Sequence, residues 1–175
     1  MGLIINFNKV LLILFIGLFL ASCKMNTYSE RVDEFSGKKI ATSEEYCSFN
    51  VGGDLCTKFT FIDNNAYMHL AYQADDWLFA DKISIKNKNN NEIYVIEQNY
   101  SSWIRDVGYA GTIREEVRVF VDEKFFNFIK NSLGSDVIVR FHGKDFYDDI
   151  EFPVGSDPEH YQWAAFVEKY NTLNI

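Results

Sequence analysis

The sequence predicts an α+β fold: a mostly antiparallel β-sheet of about seven strands covered by two helices, one mid-chain and one C-terminal. Three observations predict it. Period-two alternation recurs in short runs, as in Leu55–Ile62, Ala66–Gln73 and Ile113–Val121. Apolar residues at helical spacing stand out in two segments, Phe125, Phe126, Ile129 and Leu133, then Trp163, Phe166, Val167 and Tyr170. The strand runs are mostly joined by short polar turns, which favours an antiparallel sheet. A β-sandwich with peripheral helices is the alternative.

Taken in order, the chain opens on a leader. Asn6, Asn8 and Lys9 form a polar start, and Val10–Leu20 is an almost unbroken run of Leu, Ile, Phe and Val. The run is too short for a hydrocarbon core, which needs about 20 residues, and fits the h-region of a secretory signal. It ends in Leu20-Ala21-Ser22-Cys23. In order and spacing these four residues resemble the lipobox of bacterial lipoproteins. The resemblance implies a diacylglyceryl thioether on Cys23, cleavage between Ser22 and Cys23, and acylation of the new amino terminus by a fatty acid such as palmitate. An ordinary signal peptide cut after Ser22 and an uncleaved anchor are the alternatives. One acyl chain holds a protein only reversibly, whereas several anchor it stably. Lys24 follows the cysteine where many proteobacterial lipoproteins carry Asp for inner-membrane retention, so the resemblance implies the outer membrane.

These readings divide the chain into a signal peptide (1–22), a lipidated amino terminus with a flexible tether (23–44) and a single globular domain (45–175). The tether is expected from polar composition broken by Ser36-Gly37-Lys38-Lys39, with Ile40-Ala41-Thr42 as a candidate first strand. Tyr46–Val51 and Leu55–Ile62 form a hairpin, and Asp63-Asn64-Asn65 turns the chain. Ala66–Gln73 offers Tyr67, His69 and Ala71 on one face and Met68, Leu70 and Tyr72 on the other, as a central or helix-covered strand would. Trp77–Lys86 and Glu92–Gln98 read as a long-armed hairpin around Asn87–Asn91, with Phe79, Asp81, Ile83 and Ile85 on one parity.

Asn99–Thr112 is the least regular stretch, a functional loop or a connection holding a short strand. In Ile113–Val121, Ile113, Val117, Val119 and Val121 alternate with Arg114, Glu116 and Arg118. Asp122 is placed to cap a helix over Glu123–Leu133, and Gly134 to end it. Asp136–His142 and Phe146–Phe152 flank the turn Gly143-Lys144-Asp145, and Asp157-Pro158-Glu159 starts a helix to about Asn171.

The chain's formal charge is −8. Without residues 1–22 it keeps 16 basic against 25 acidic side chains, since the leader carries only Lys9. Such a surface argues against nucleic acid, where neutralised phosphates supply the affinity, and is compatible with a basic protein partner. Aromatic content of 17% suffices for a dense core without a cofactor.

With Cys23 assigned to lipid, Cys47 and Cys56 remain, and an even pair in an exported chain reads as a disulfide. A turn at Val51-Gly52-Gly53-Asp54 places the two opposite each other. Redox chemistry and free thiols are the alternatives, and the spacing is not Cys-x-x-Cys.

Histidines stand apart at 69, 142 and 160. His142 with Asp145, Asp148 and Asp149 is oxygen-rich but lacks the carboxylate spacing of a calcium loop, so neither a metal site nor a catalytic set is expected. Asp81, Arg105, Asp106, Arg118 and Arg140 are the charges of interest. Asp81 shares a parity with apolar residues and Arg140 lies between Val139 and Phe141, so both should be paired. Trp77, Trp103 and Tyr109 are candidates for a recognition patch or for the core. A pocket gathering Asp81, Arg105 and Asp106 favours an enzyme, and a flat patch around Trp103 and Tyr109 favours binding.

The sequence thus reads as a lipid-anchored cell-envelope protein that binds or scaffolds a protein partner. An inhibitor of a cationic envelope hydrolase such as lysozyme and an enzyme with a carboxylate–Arg site are the alternatives.

Overall fold

The computed structural model describes residues 28–48, 52–108, 111–152 and 157–173. The leader, Cys23 and Tyr109 lie outside the described residues.

Two helices and eleven strands form among them: β1 (Tyr28–Val32), β2 (Lys39–Ser43), β3 (Tyr46–Ser48), β4 (Asp54–Ile62), β5 (Asn65–Ala74), β6 (Lys82–Asn87), β7 (Ile93–Glu97), β8 (Trp103–Val107), β9 (Ile113–Phe120), α1 (Glu123–Asn131), β10 (Val137–His142), β11 (Tyr147–Phe152) and α2 (Asp157–Thr172). The class is α+β, as expected, with two antiparallel sheets. The first runs β1-β2-β4-β5-β9-β8, and β3 pairs with β4 beyond the end of β2; the second runs β11-β10-β6-β7.

Alternation decides which residues face inward. In register, Phe59 lies beside Met68 and Met68 beside Val119, so one face of the first sheet is a continuous apolar surface. Tyr72 and Trp103 on that face meet Phe141 of the second sheet, at ring separations of 5.6 and 6.3 Å. There the two sheets close on each other. Elsewhere helices fill the space. Phe166 of α2 stacks on Phe59 at 4.1 Å, and Tyr94 of β7 stacks on Phe125 of α1 at 4.3 Å. Phe126 and Tyr170 stack at 3.9 Å and join the helices. Truncating a ring as buried as Phe166 costs about 3–5 kcal/mol.

Polar pins fix the helices. Asp122 caps α1 by accepting from the Phe125 amide at 2.7 Å. The buried Asn87 side chain donates to the Asn131 carbonyl and accepts from the Asn89 amide, so one residue shapes the β6–β7 turn and holds the end of α1. Gln162 of α2 donates to the Glu44 carbonyl at 2.7 Å and accepts from the Thr57 hydroxyl at 2.7 Å, filling the break between β2 and β3.

Two expectations are corrected. The flexible tether over 23–44 gives way to folded chain from Tyr28 onward, because β1 and β2 extend the first sheet. β1 is an edge strand paired on one side, and its exposed residues explain the polar composition. The hairpin arm expected over Trp77–Lys86 is strand only from Lys82, preceded by irregular chain. Within Asn99–Thr112, β8 is the short strand allowed for. Among the described residues no helix is long and apolar enough to cross a membrane.

Candidate functional site

Glu115 is the one fully buried charged residue among the described residues, 0% exposed on the inner face of β9. Its carboxylate accepts four donors. The Leu78 and Phe79 amides reach Oε1 at 2.7 Å each, the Ala80 amide reaches Oε2 at 2.9 Å, and Arg105 Nε reaches Oε2 at 3.1 Å. Four donors fill the four lone-pair directions of a carboxylate. Arg105 comes from β8, directly opposite Glu115 in the ladder, and its Nη2 donates to the Ala80 carbonyl at 2.7 Å. One ion pair therefore grips both the amides and a carbonyl of the Leu78–Ala80 segment.

That grip sets an unusual backbone. Phe79 adopts φ +53°, a conformation costing an ordinary L residue roughly 1–2 kcal/mol. The turn aims its ring outward, 44% exposed, stacked on half-buried Trp77 at 5.7 Å and 19°. Asp75, Asp76 and Asp81 on the same segment are exposed. Strain of this kind survives only where the surroundings impose it, and such positions cluster at functional sites.

The tip of the β10–β11 hairpin adjoins the segment. Gly143 lies against the Leu78 carbonyl so closely that a Cβ would overlap it, and the Asp81 amide donates to the His142 carbonyl at 3.1 Å. Exposed Phe146 and Tyr147 come from this tip, with the Arg140 guanidinium 4.0 Å over the Tyr147 ring. A further tie crosses beneath. Tyr72 hydrogen-bonds Asp148, and burial, with the Asp148, Glu115 and Asp76 carboxylates nearby, pushes its phenol well above the usual tyrosine range.

The sequence-derived candidates scatter around this arrangement. Trp77 belongs to it. Arg105 belongs to it from beneath, turned inward. Asp81 is exposed and not on a buried parity, because the left-handed turn at Phe79 breaks the alternation before β6 begins. Asp106 faces outward and bonds its neighbouring Val107 amide at 2.8 Å, so Asp81, Arg105 and Asp106 do not gather into one pocket. Trp103 is 6% exposed in the core, not in a surface patch. Arg140 pairs with Asp149 through two contacts of 2.6 Å across β10 and β11. Glu115 is not among those candidates, although it is the one charge on the apolar parity between Ile113 and Val117.

Two other clusters carry polar chemistry. On the outer face of the first sheet, Glu116 accepts from His69 Nδ1 at 2.9 Å and Arg114 at 2.7 Å, with Lys58 at 3.9 Å; Arg114 also binds Glu45 at 2.7 Å. The His69 bond, with Arg114 and Lys58 beside it, outweighs desolvation and holds the Glu116 carboxyl at about 2. On the outer face of the second sheet, Ser84 Oγ lies 2.9 Å from His142 Nε2. Burial, with Lys82 and Arg140 nearby, keeps that imidazole below the usual histidine range. A nucleophile–base pair needs donors for an oxyanion, and the backbone beside Ser84 is committed to ladders on both sides.

Cys47 and Cys56 lie opposite each other in β3 and β4 at disulfide distance, 2.02 Å between sulfurs. Glu45 joins them in the one group of potential metal ligands among the described residues, but sulfurs bonded to each other are not thiolate donors.

Fold and site together define a two-sheet α+β domain that displays an aromatic loop on a buried ion pair. No protein-family model, curated protein or solved structure matches the chain.

Proposed function

We propose that this protein is a lipid-anchored module of the cell envelope, held at the outer membrane through Cys23, that binds another protein through the Trp77–Phe79 loop. The anchor follows from the lipobox resemblance. The binding reading is carried by Phe79: a strained backbone, gripped by Glu115, places a large ring in solvent beside Trp77. Prearranged aromatic side chains are what interface anchors consist of, because little ordering entropy remains to be lost. Glu115 itself has no acceptor capacity left for a substrate, which favours binding over the carboxylate–Arg enzyme.

Crosslinking pull-down from intact cells tests the reading, using the lipidated chain and its Phe79→Asp variant. Asp tolerates the left-handed backbone, so the fold is kept while the ring is lost. A stoichiometric partner recovered by the native chain and lost with the variant is expected. Equal recovery by both would remove the loop as the site, and no partner with the native chain would move weight to a small ligand or catalysis. For the anchor, Cys23→Ser should leave an unprocessed precursor free of acyl chains; continued acylation would sink it.

A second reading has its own observation. Asp75, Asp76 and Asp81 flank the two aromatic residues in the chain and are exposed, so the surface they complement is basic. This favours an inhibitor of a cationic envelope hydrolase such as lysozyme, tested by whether the protein slows that enzyme and whether Asp76→Asn with Asp81→Asn relieves the effect.

A further inference from the structure

We propose that the β1–β2 hairpin is a second membrane contact, its tip seated in the lipid headgroup region through Phe35 and Val32. The inference rests on the Cys23 anchor and goes beyond it. Phe35 is 102% exposed and Val32 59% exposed at the turn joining β1 to β2. Arg31, Lys38 and Lys39 are exposed around them, a basic collar set among the acidic Glu30, Asp33 and Glu34. An apolar tip with a basic collar suits an anionic bilayer surface, the ring entering the interface while the lysines reach headgroups.

The turn is built before any lipid is met. Asp33 Oδ1 accepts the Phe35 amide at 3.0 Å and the Ser36 amide at 2.8 Å, and the Asp33 amide donates to the Lys38 carbonyl at 2.9 Å. Gly37 takes φ +68°, which glycine adopts freely. The ring is thus displayed on an ordered turn, and seating it loses little conformational freedom.

Chain length supplies the occupant. Only Lys24, Met25, Asn26 and Thr27 separate Cys23 from the start of β1. At no more than about 3.6 Å per residue, those residues keep Tyr28 within roughly 18 Å of the acylated cysteine. β1 is an edge strand spanning about another 14 Å to Val32. The anchor therefore keeps the tip within roughly 32 Å of the acylated cysteine, close enough to reach the bilayer. One ring gives no stable membrane binding on its own, but once the chain is anchored its insertion is intramolecular and needs only a small preference.

The test uses the full lipidated protein in phosphatidylethanolamine–phosphatidylglycerol vesicles containing lipids brominated near the headgroup. Phe35→Trp should add blue-shifted emission, above that of the native tryptophans, that the bromines quench. Trypsin should cut after Lys38 or Lys39 faster in Phe35→Ser than in the native chain on the same vesicles. Added emission that is water-like, or blue-shifted but unquenched because a second copy covers the tip, would overturn the proposal, as would equal trypsin cutting. Intact mass separates the two layers: a protein without acyl chains on Cys23 removes the anchor and this inference together. An acylated protein with an unquenched indole removes this inference alone.

Discussion

The Phe79 amide donates to Glu115 Oε1 at 2.7 Å, joining the most deeply buried charge among the described residues to a ring standing in solvent. The two ends of that bond explain each other. Without the carboxylate, three successive amides at Leu78, Phe79 and Ala80 would lose their acceptor, and Phe79 would lose the bond that holds its own amide at positive φ. Without the loop, Glu115 would keep its bond to Arg105 but lose three amide donors in an apolar core, an expensive way to bury a charge.

Glu115→Gln should therefore cost about 3–5 kcal/mol, the usual penalty for removing one member of a buried pair, measured by denaturant unfolding. The double change Glu115→Met with Arg105→Met separates this site from an ordinary ion pair. Ordinary buried pairs are often replaced by apolar residues at little cost. Here the amides stay orphaned, so the double variant should remain at least about 2 kcal/mol less stable than the native chain. Full recovery would mean that the loop is not held by the carboxylate.

Phe79→Gly should separate stability from binding. Glycine relieves the left-handed backbone but has more freedom to lose on folding, so unfolding free energy should stay within about 1 kcal/mol of the native value. Partner retention should fall with the ring. A large loss of stability would show that the ring packs rather than recognises.

Much of the fold was legible because it rests on local chemistry. Asp122 with Phe125 and Phe126 announces α1, and Cys47 opposite Cys56 follows from the Gly52-Gly53 turn between them. β1 was not legible, since an edge strand exposed to water reads like a tether: Ser29, Glu30 and Arg31 carry no alternation. Asp81 misled for a different reason. Parity arguments assume an unbroken pleat, and the turn at Phe79 resets it. Glu115 was legible in principle, as a charge among the inward-facing positions of β9. Which amides it would hold depends on a segment 35 to 37 residues earlier in the chain, and no local pattern encodes that.

The Glu116 network predicts a definite acid limb. Its folded pKa, at about 2, lies below the ordinary carboxyl value of 4.5. Stability from this group is therefore fully present above about 4.5 and is lost as pH falls towards 2. With partly exposed partners the contribution is on the order of 2 kcal/mol. Glu116→Gln should be less stable than the native chain by that amount at pH 7, and denaturant unfolding at descending pH should show the gap closing. A gap independent of pH would mean that Glu116 acts through packing rather than charge.

Reduction of the Cys47–Cys56 pair should lower stability by about 2.5–3 kcal/mol on a chain-entropy estimate for so short a loop. The unreduced domain should be lighter than the reduced one by two thiol hydrogens. Two titratable thiols in freshly prepared protein, besides any at Cys23, would defeat the staple.

Gly143→Ala tests how the hairpin tip and the aromatic loop lean on each other. A Cβ at 143 would overlap the Leu78 carbonyl and sit 2.8 Å from Leu78 Cδ1. Leu78 cannot withdraw, because it is 1% exposed and its amide is held by Glu115. The added methyl should then cost about 1–3 kcal/mol, as overpacking does. Gly37→Ala is the control: it strains a backbone at φ +68° but meets nothing within 4 Å, so its cost is the left-handed penalty alone. Hydrogen exchange distinguishes the two. Gly143→Ala should speed exchange of the Leu78, Phe79 and Ala80 amides relative to the core strands, whereas Gly37→Ala should leave them unchanged. If Gly143→Ala lowers stability with those three amides still protected, the tip is packed against the loop without supporting it, and the display of Phe79 depends on Glu115 alone.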